Sequence, residues 1–255
     1  MKLFILDTET AVSTPEDSLL EIGIKEYGKP GKSYKMKPHR PIRAAGVACH
    51  GITNKTAEAW PSPKEALTAF ASDYDDIRDP DAIVIGWNIQ FDVDILTKEA
   101  KFQGVKIPPF KAVDLMRGAK RLLQVSELGK FTLDTVYCYF AMDDEKALKE
   151  FFELRSKHGA LADVQLTEQV YDWLIAKSGR APEEFLRDLN RPELLTEFPI
   201  GKWKGSAFTE ALNDYGYIKW LTGQAWIHEP ANMDLKFTLE HHGKRCVAPR
   251  APQTF

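Results

Sequence analysis

Cysteine is scarce in this chain: Cys49, Cys138 and Cys246 are its three in 255 residues. Three scattered thiols cannot build the disulfide framework of a small secreted domain, and a reducing, cytoplasmic compartment is expected. Long apolar runs are also missing. No stretch approaches the roughly 18 residues needed to cross a bilayer, so no membrane partner is expected. The run Leu3-Phe4-Ile5-Leu6 is cut short by Asp7, unlike a secretory signal. Nor does one sign of charge dominate. The 34 Lys and Arg against 37 Asp and Glu leave a net charge of −3, which excludes the bulk basicity of a protein that coats nucleic acid nonspecifically. There is no Gly-x-x-x-x-Gly-Lys-Ser/Thr loop of the kind a Walker-type NTPase needs.

What remains is an ordinary globular composition, 44% hydrophobic and 28% charged, long enough for one or two domains with a real core. The charge is unevenly spread. Residues 196–255 net +1, so the acidity lies in the first 195 residues. Within those, Lys25, Lys29, Lys32, Lys35, Lys37, Arg40 and Arg43 form a basic stretch interrupted only by Glu26. It reads equally as a solvated hairpin edge or as a polyanion contact.

Lys2 to Asp7, Leu19 to Tyr27 and Ser33 to Lys37 are short apolar-rich segments, with Gly28-Lys29-Pro30-Gly31 as a turn. They predict an antiparallel meander. Ser62 to Ile77 has helical spacing, with Ala66, Leu67 and Phe70 on one side. Ala82-Ile83-Val84-Ile85 is the continuous apolar run of a buried strand. A helix over Phe91 to Phe102, a short strand over Lys111 to Leu115 and mostly helical sequence to Ser178 follow. The order predicts an α/β fold, one mixed five-stranded sheet flanked by helices. Residues 179–199 read as a linker with room for a short helix, and 200–243 as a small α-rich unit. Residues 244–255 read as a disordered basic tail. The aromatics of the small unit, Trp203, Phe208, Tyr215, Tyr217, Trp220, Trp226 and Phe237, suit a small core or a stacking surface for bases.

Several carboxylates stand where chemistry could use them. Asp7 and Glu9, two apart at the end of a strand, share a face and repel unless a cation lies between them. The same spacing in Asp143-Asp144-Glu145 reads as the capped start of a helix. Asn88 can cap the helix that follows the buried run, which puts Asp92 in its first turn and Asp94 on the surface. His158 and Asp163 are about 140° apart if both are helical. They can share a site only if His158 sits on the loop before the helix that runs to Ser178.

Taken in order, Asp7-Thr8-Glu9-Thr10, Asn88-x-x-Phe91-Asp92 and His158-x-x-x-x-Asp163 resemble the DEDDh (DnaQ-like) family of 3′-to-5′ exonucleases over roughly residues 1–178. His50-Gly51-Ile52-Thr53 resembles the family's segment near the bound 3′ end. His158-Gly-Ala-Leu-Ala-Asp163 is similar to the corresponding segment of the proofreading epsilon subunit of bacterial replicative polymerases. Asp114-Leu115 and Leu133-Asp134 resemble the helical connecting region. Residues 201–221 are similar to the small domain that follows the nuclease in exodeoxyribonuclease X relatives. Two positions depart from the family pattern: Trp87 stands where a His is frequent, and Val12 where a Gly is frequent.

The resemblance implies a ribonuclease-H-like fold and phosphodiester hydrolysis at DNA 3′ ends, single- or double-stranded, in repair, proofreading or end trimming. RNA 3′ ends are the alternative polymer. A different class of role is an adaptor, with residues 200–243 docking a polymerase or nuclease partner. The resemblance also implies two divalent cations, Mg²⁺ or Mn²⁺, held by Asp7, Glu9, Asp92 and Asp163. In it Asp7 bridges both ions, Glu9 and Asp163 hold the ion nearer the water, and Asp92 assists the other largely through water. His158 takes the proton from the attacking water, and Thr10, His50 and Asn88 line the substrate's path. Zinc fits less well, since His241, His242 and Cys246 lack ligand spacing.

Overall fold

The first apolar run becomes the centre of the sheet. In a computed structural model, which describes residues 1–11, 18–107, 109–157, 159–229 and 232–246, it forms β1 (Lys2–Thr10). β2 (Leu19–Glu26) and β3 (Lys32–Lys35) follow antiparallel, as the meander pattern predicts. Three helices come next, α1 (Ala44–His50), α2 (Asn54–Ala57) and α3 (Pro63–Asp73). β4 (Ala82–Gly86) lies parallel to β1, with Leu3 opposite Ile83 and Ile5 opposite Ile85. α4 (Gln90–Gln103) then leads to β5 (Ala112–Asp114), parallel to β4. The sheet order is β3-β2-β1-β4-β5, the mixed five-stranded sheet that the sequence predicts. Helices α5 (Leu115–Leu122), α6 (Val125–Leu128), α7 (Leu133–Ala141), α8 (Glu145–Lys157), α9 (Ala160–Ser178) and α10 (Pro182–Leu189) complete the first unit. No helix among the described residues is long and apolar enough to cross a membrane.

Alternation along β1 decides what each face carries. Phe4 and Leu6 point into a core built with Leu67 and Phe70 of α3 and Ile95 and Leu96 of α4. Leu3 and Ile5 point the other way, against Val136 of α7 and Leu166 and Val170 of α9. Each such side chain, fully buried, stabilises the fold by about 1.5–3 kcal/mol. Local signals set the helix starts: Ser62 and Glu65 form a reciprocal capping box with Pro63 in the first turn of α3. Asp144 accepts from the backbone N–H groups of Lys146 and Ala147, the cap expected for α8.

Within 179–199, α10 buries Phe185, Leu186 and Leu189 in the same core as α5 and α9. Three more helices follow, α11 (Phe208–Ala211), α12 (Tyr215–Leu221) and α13 (Met233–His241). They close a separate core around Phe198, Phe208, Ile218, Leu221 and Leu239, which also buries Cys246. The aromatics of this unit divide: Phe208 is buried, whereas Tyr215, Trp220 and Phe237 stay exposed. Residues 247–255 of the expected tail lie outside the described residues.

Candidate metal centre

Asp7 and Glu9 lie on the face of β1 that α9 covers, because Thr8 between them points to the other. Across β2 their partners are Gly23 and Glu21. Gly23 is what lets the helix come down onto the sheet. A Cβ there would sit 2.5 Å from the carbonyl carbon of Ala160. The first turn of α9 therefore rests on β2 and brings Asp163 over the end of β1. One carboxylate oxygen each from Asp7, Glu9 and Asp163 lie within 4.8 Å of one another. His158 and Val12 lie outside the described residues.

Asp92 is not part of that trio. It reaches the centre from the opposite layer, in the first turn of α4, and is buried. Thr8, on the other face of β1, donates its hydroxyl to Asp92 Oδ1 at 2.6 Å. Asp94, two residues on, is exposed as expected. The capping role expected of Asn88 is not what the chain uses. Ile89 holds the cap position of α4, with no side-chain cap. Asn88 instead adopts a left-handed conformation, φ 58°, and donates its backbone N–H to Asp114 Oδ1 at 2.8 Å. The turn from β4 into α4 needs that positive φ, which Asn tolerates better than most residues. Asn88 is thereby left exposed at the turn that leads to Asp92.

Thr10 and His50 are both buried. The His50 ring lies between two backbone groups: Nε2 is 3.2 Å from the Thr10 carbonyl oxygen, and Nδ1 accepts from the Ile52 N–H at 3.0 Å. Its ring thus ties α1 to the end of β1. Gly46 tightens the same contact, since a Cβ there would meet the Ala11 carbonyl oxygen at 2.6 Å. Cys49, exposed on α1, has its thiol pushed up by partial burial and by the charges of Glu9 and Asp163, which places this helix beside the centre.

The electrostatics are those of buried anions gathered together, a push that the Arg155 charge only partly offsets. Burial, then the charges of Asp163, Asp92 and Glu9, raise Asp7 well above the usual carboxylate range. Burial, Asp163 and Glu21 push Glu9 from 4.5 up to about 8. Burial pushes Asp92 up to about 7, while the Thr8 hydrogen bond pulls it down. Three participants escape sequence reasoning. Thr8 was visible only as the filler between two acids. Glu21 faces Glu9 through strand register, and accepts from Ser33 at 2.6 Å. Arg155 donates from one guanidinium nitrogen to Asp163 and from another to Asp134. Its approach depends on how α8 packs on α7 and α9, which periodicity does not reveal.

The basic stretch resolves into two parts. Lys25, Lys29 and Lys32 are neutralised by Glu168, Glu26 and Asp73. Lys35 lies over the Trp60 ring, 5.4 Å from its centroid. Lys37 and Arg43 are exposed, and Arg43 caps α1 beside Ala11 at the end of β1.

Comparison with known proteins bears on the fold. No family model matches the chain. Over 86 residues, 33% of its length, it is 33% identical to exodeoxyribonuclease 10 of Escherichia coli strain K12. E. coli exonuclease I in complex with a dT13 oligonucleotide superposes with a TM-score of 0.57 at 14% identity, over 75% of this chain and 44% of that one. A second exonuclease I structure gives 0.56 at 18% identity, over 72% and 42%. The chain resembles the DnaQ-like exonucleases and has their ribonuclease-H-like fold. An exonuclease X complex with 5′-overhanging duplex DNA gives a TM-score of 0.49 at 18% identity, covering 73% of this chain and 99% of that one. The sequence match to exodeoxyribonuclease 10 spans 38% of that protein. The likeness to the DnaQ-like exonuclease structures, at these identities, is one of fold.

Proposed function

We propose that the chain is a divalent-metal-dependent 3′-to-5′ exonuclease acting on DNA ends. The observation that carries this reading is the convergence of Asp7, Glu9 and Asp163 from two elements onto one point. Acids do not gather there without a reason: burial and mutual repulsion raise Asp7 and Glu9 together. An all-oxygen donor set of carboxylates suits Mg²⁺ or Mn²⁺. Such ions, when bound, neutralise phosphate charge and lower the pKa of a bound water.

The chain's own residues supply the rest. Asp7, one of the trio, also feels the charge of Asp92, so it would be the carboxylate shared between two ions. Glu9 and Asp163 would hold one of them with it, and Asp92, held by Thr8, would assist the other. His158 is the proton acceptor by resemblance to the family. Asn88, exposed four residues before Asp92, offers an amide to substrate, and the buried His50 acts through the Thr10 backbone that it holds. Lys37 and Arg43, exposed on the α1 side, provide positive charge for a phosphate backbone. The matched relative and the fold neighbours are exonucleases, one of them exonuclease I in complex with a dT13 oligonucleotide.

The test is direct. Single- and double-stranded DNA and RNA oligonucleotides, labelled at either end, are incubated with the protein in Mg²⁺, Mn²⁺ or EDTA. A metal-dependent ladder receding from the 3′ end of DNA is expected, and Asp7→Asn should slow it by about 10²–10³-fold or more. Shortening of RNA alone reassigns the polymer. Cleavage that persists in EDTA, or in Asp7→Asn at the normal rate, rejects the metal centre.

A further inference from the structure

Arg155 stands in the last turns of α8, and its side chain is only 19% exposed. One terminal nitrogen donates to Asp163 Oδ1 and the other to Asp134 Oδ1. The Phe151 ring lies under the guanidinium, 5.7 Å from its central carbon, and limits its rotation. The remaining nitrogen, Nε, is buried with no partner among the described residues. The fork is therefore committed to two carboxylates on two helices, α7 and α9. Its charge is also the one that opposes the upward push on both Asp7 and Glu9.

An ionised carboxylate offers about four acceptor directions. Arg155 uses one of those on Asp163. That carboxylate is the one that meets Asp7 and Glu9. Asp134, half exposed, is the outer anchor that stops the guanidinium from swinging away. We propose that Arg155 is a positioning residue for the metal centre: clamped between Asp134 and Asp163, it fixes how the Asp163 carboxylate faces Asp7 and Glu9 and supplies the positive charge that lets the three acids converge. This rests on the metal-centre reading above. A lysine cannot do the same, because its ammonium is a point charge without the planar fork.

The experiment measures Mn²⁺ binding to the full chain without nucleic acid, by calorimetry and by the electron paramagnetic resonance signal of free Mn²⁺. Arg155→Met should weaken binding by about 10–100-fold, the usual cost of losing a partner that orients a metal ligand. Arg155→Lys should recover only part of it. Asp134→Asn, which leaves Arg155 in place, should weaken binding in the same direction by less, and serves if Arg155→Met does not fold. Melting in EDTA separates this from general unfolding, since a structural role would change the melt and not the affinity of the folded protein. Wild-type binding with equal or tighter binding by Arg155→Met and Asp134→Asn overturns the inference and leaves the metal centre standing. Absence of wild-type binding removes both.

Discussion

At Glu9 and Asp92 the raised carboxyls have a thermodynamic consequence. Glu9 titrates near 4.5 in an unfolded chain and is pushed up to about 8 here, and Asp92 moves from 3.8 to about 7. The folded, metal-free protein therefore holds protons that the unfolded chain has released. Stability from these groups is fully present below about pH 4 and is lost as pH rises to 8. The melting temperature in EDTA should fall across that window, and saturating Mg²⁺ should flatten the fall. Binding at pH 7 should also expel protons, read by calorimetry in two buffers of different ionisation heat; equal heats in both would sink the idea. Thr8→Val addresses Asp92 alone. It removes the hydrogen bond that holds Asp92 down, a bond to a charged acceptor of about 1.5–3 kcal/mol. The acidic limb of the pH–rate profile should move up by about one to two units.

The centre depends as much on how closely α9 approaches the sheet as on the acids themselves. Gly23 stands opposite Asp7, and a methyl group there would meet the backbone of Ala160 and Leu161 at 2.5–2.7 Å. Backbone cannot yield as a side-chain tip can. Gly23→Ala should therefore lift the start of α9, destabilise the fold by about 1–3 kcal/mol in denaturant titration, and weaken Mn²⁺ binding by displacing Asp163. Loss of stability without loss of metal affinity would show that Asp163 follows the strand rather than the helix. Gly23 also shows where sequence reading stops. The strand-face rule put Asp7 and Glu9 together, and apolar runs gave five strands and their helices. Only the resemblance to known exonucleases joined Asp163 and Asp92 to them across 70 and more residues. Nothing local marks Gly23 as a contact, Glu21 as a register partner, or Arg155 as a reach between helices, because each is defined by packing. Asn88 failed as a cap for a related reason: the turn after β4 requires a left-handed residue, and that backbone demand outranked its side chain's preference for a cap.

The first unit and the C-terminal unit meet at a charged joint. Asp234 of α13 accepts from Arg117 at 2.8 Å, from Arg121 at 3.2 Å and from the Glu193 N–H at 2.9 Å. Both arginines belong to α5, and both also donate to backbone carbonyls at or just past the end of α10: Arg117 to that of Arg191 at 3.0 Å, Arg121 to that of Asp188 at 2.7 Å. Asp114, at the end of β5, caps α5 and receives the Asn88 N–H from the turn before α4. A continuous set of contacts thus runs from that turn to the C-terminal unit. The centre itself is built from β1, α4 and α9 and does not use it. Asp234→Ala would leave two nearly buried guanidiniums without their shared carboxylate, a loss of about 3–5 kcal/mol for a buried pair. The expected outcome is selective. Protease should cut residues 190–200 sooner in the variant, and the C-terminal unit should unfold ahead of the rest, while Mn²⁺ binding stays within about twofold. A single unfolding transition at the wild-type midpoint would show that apolar packing, and not this joint, holds the C-terminal unit in place.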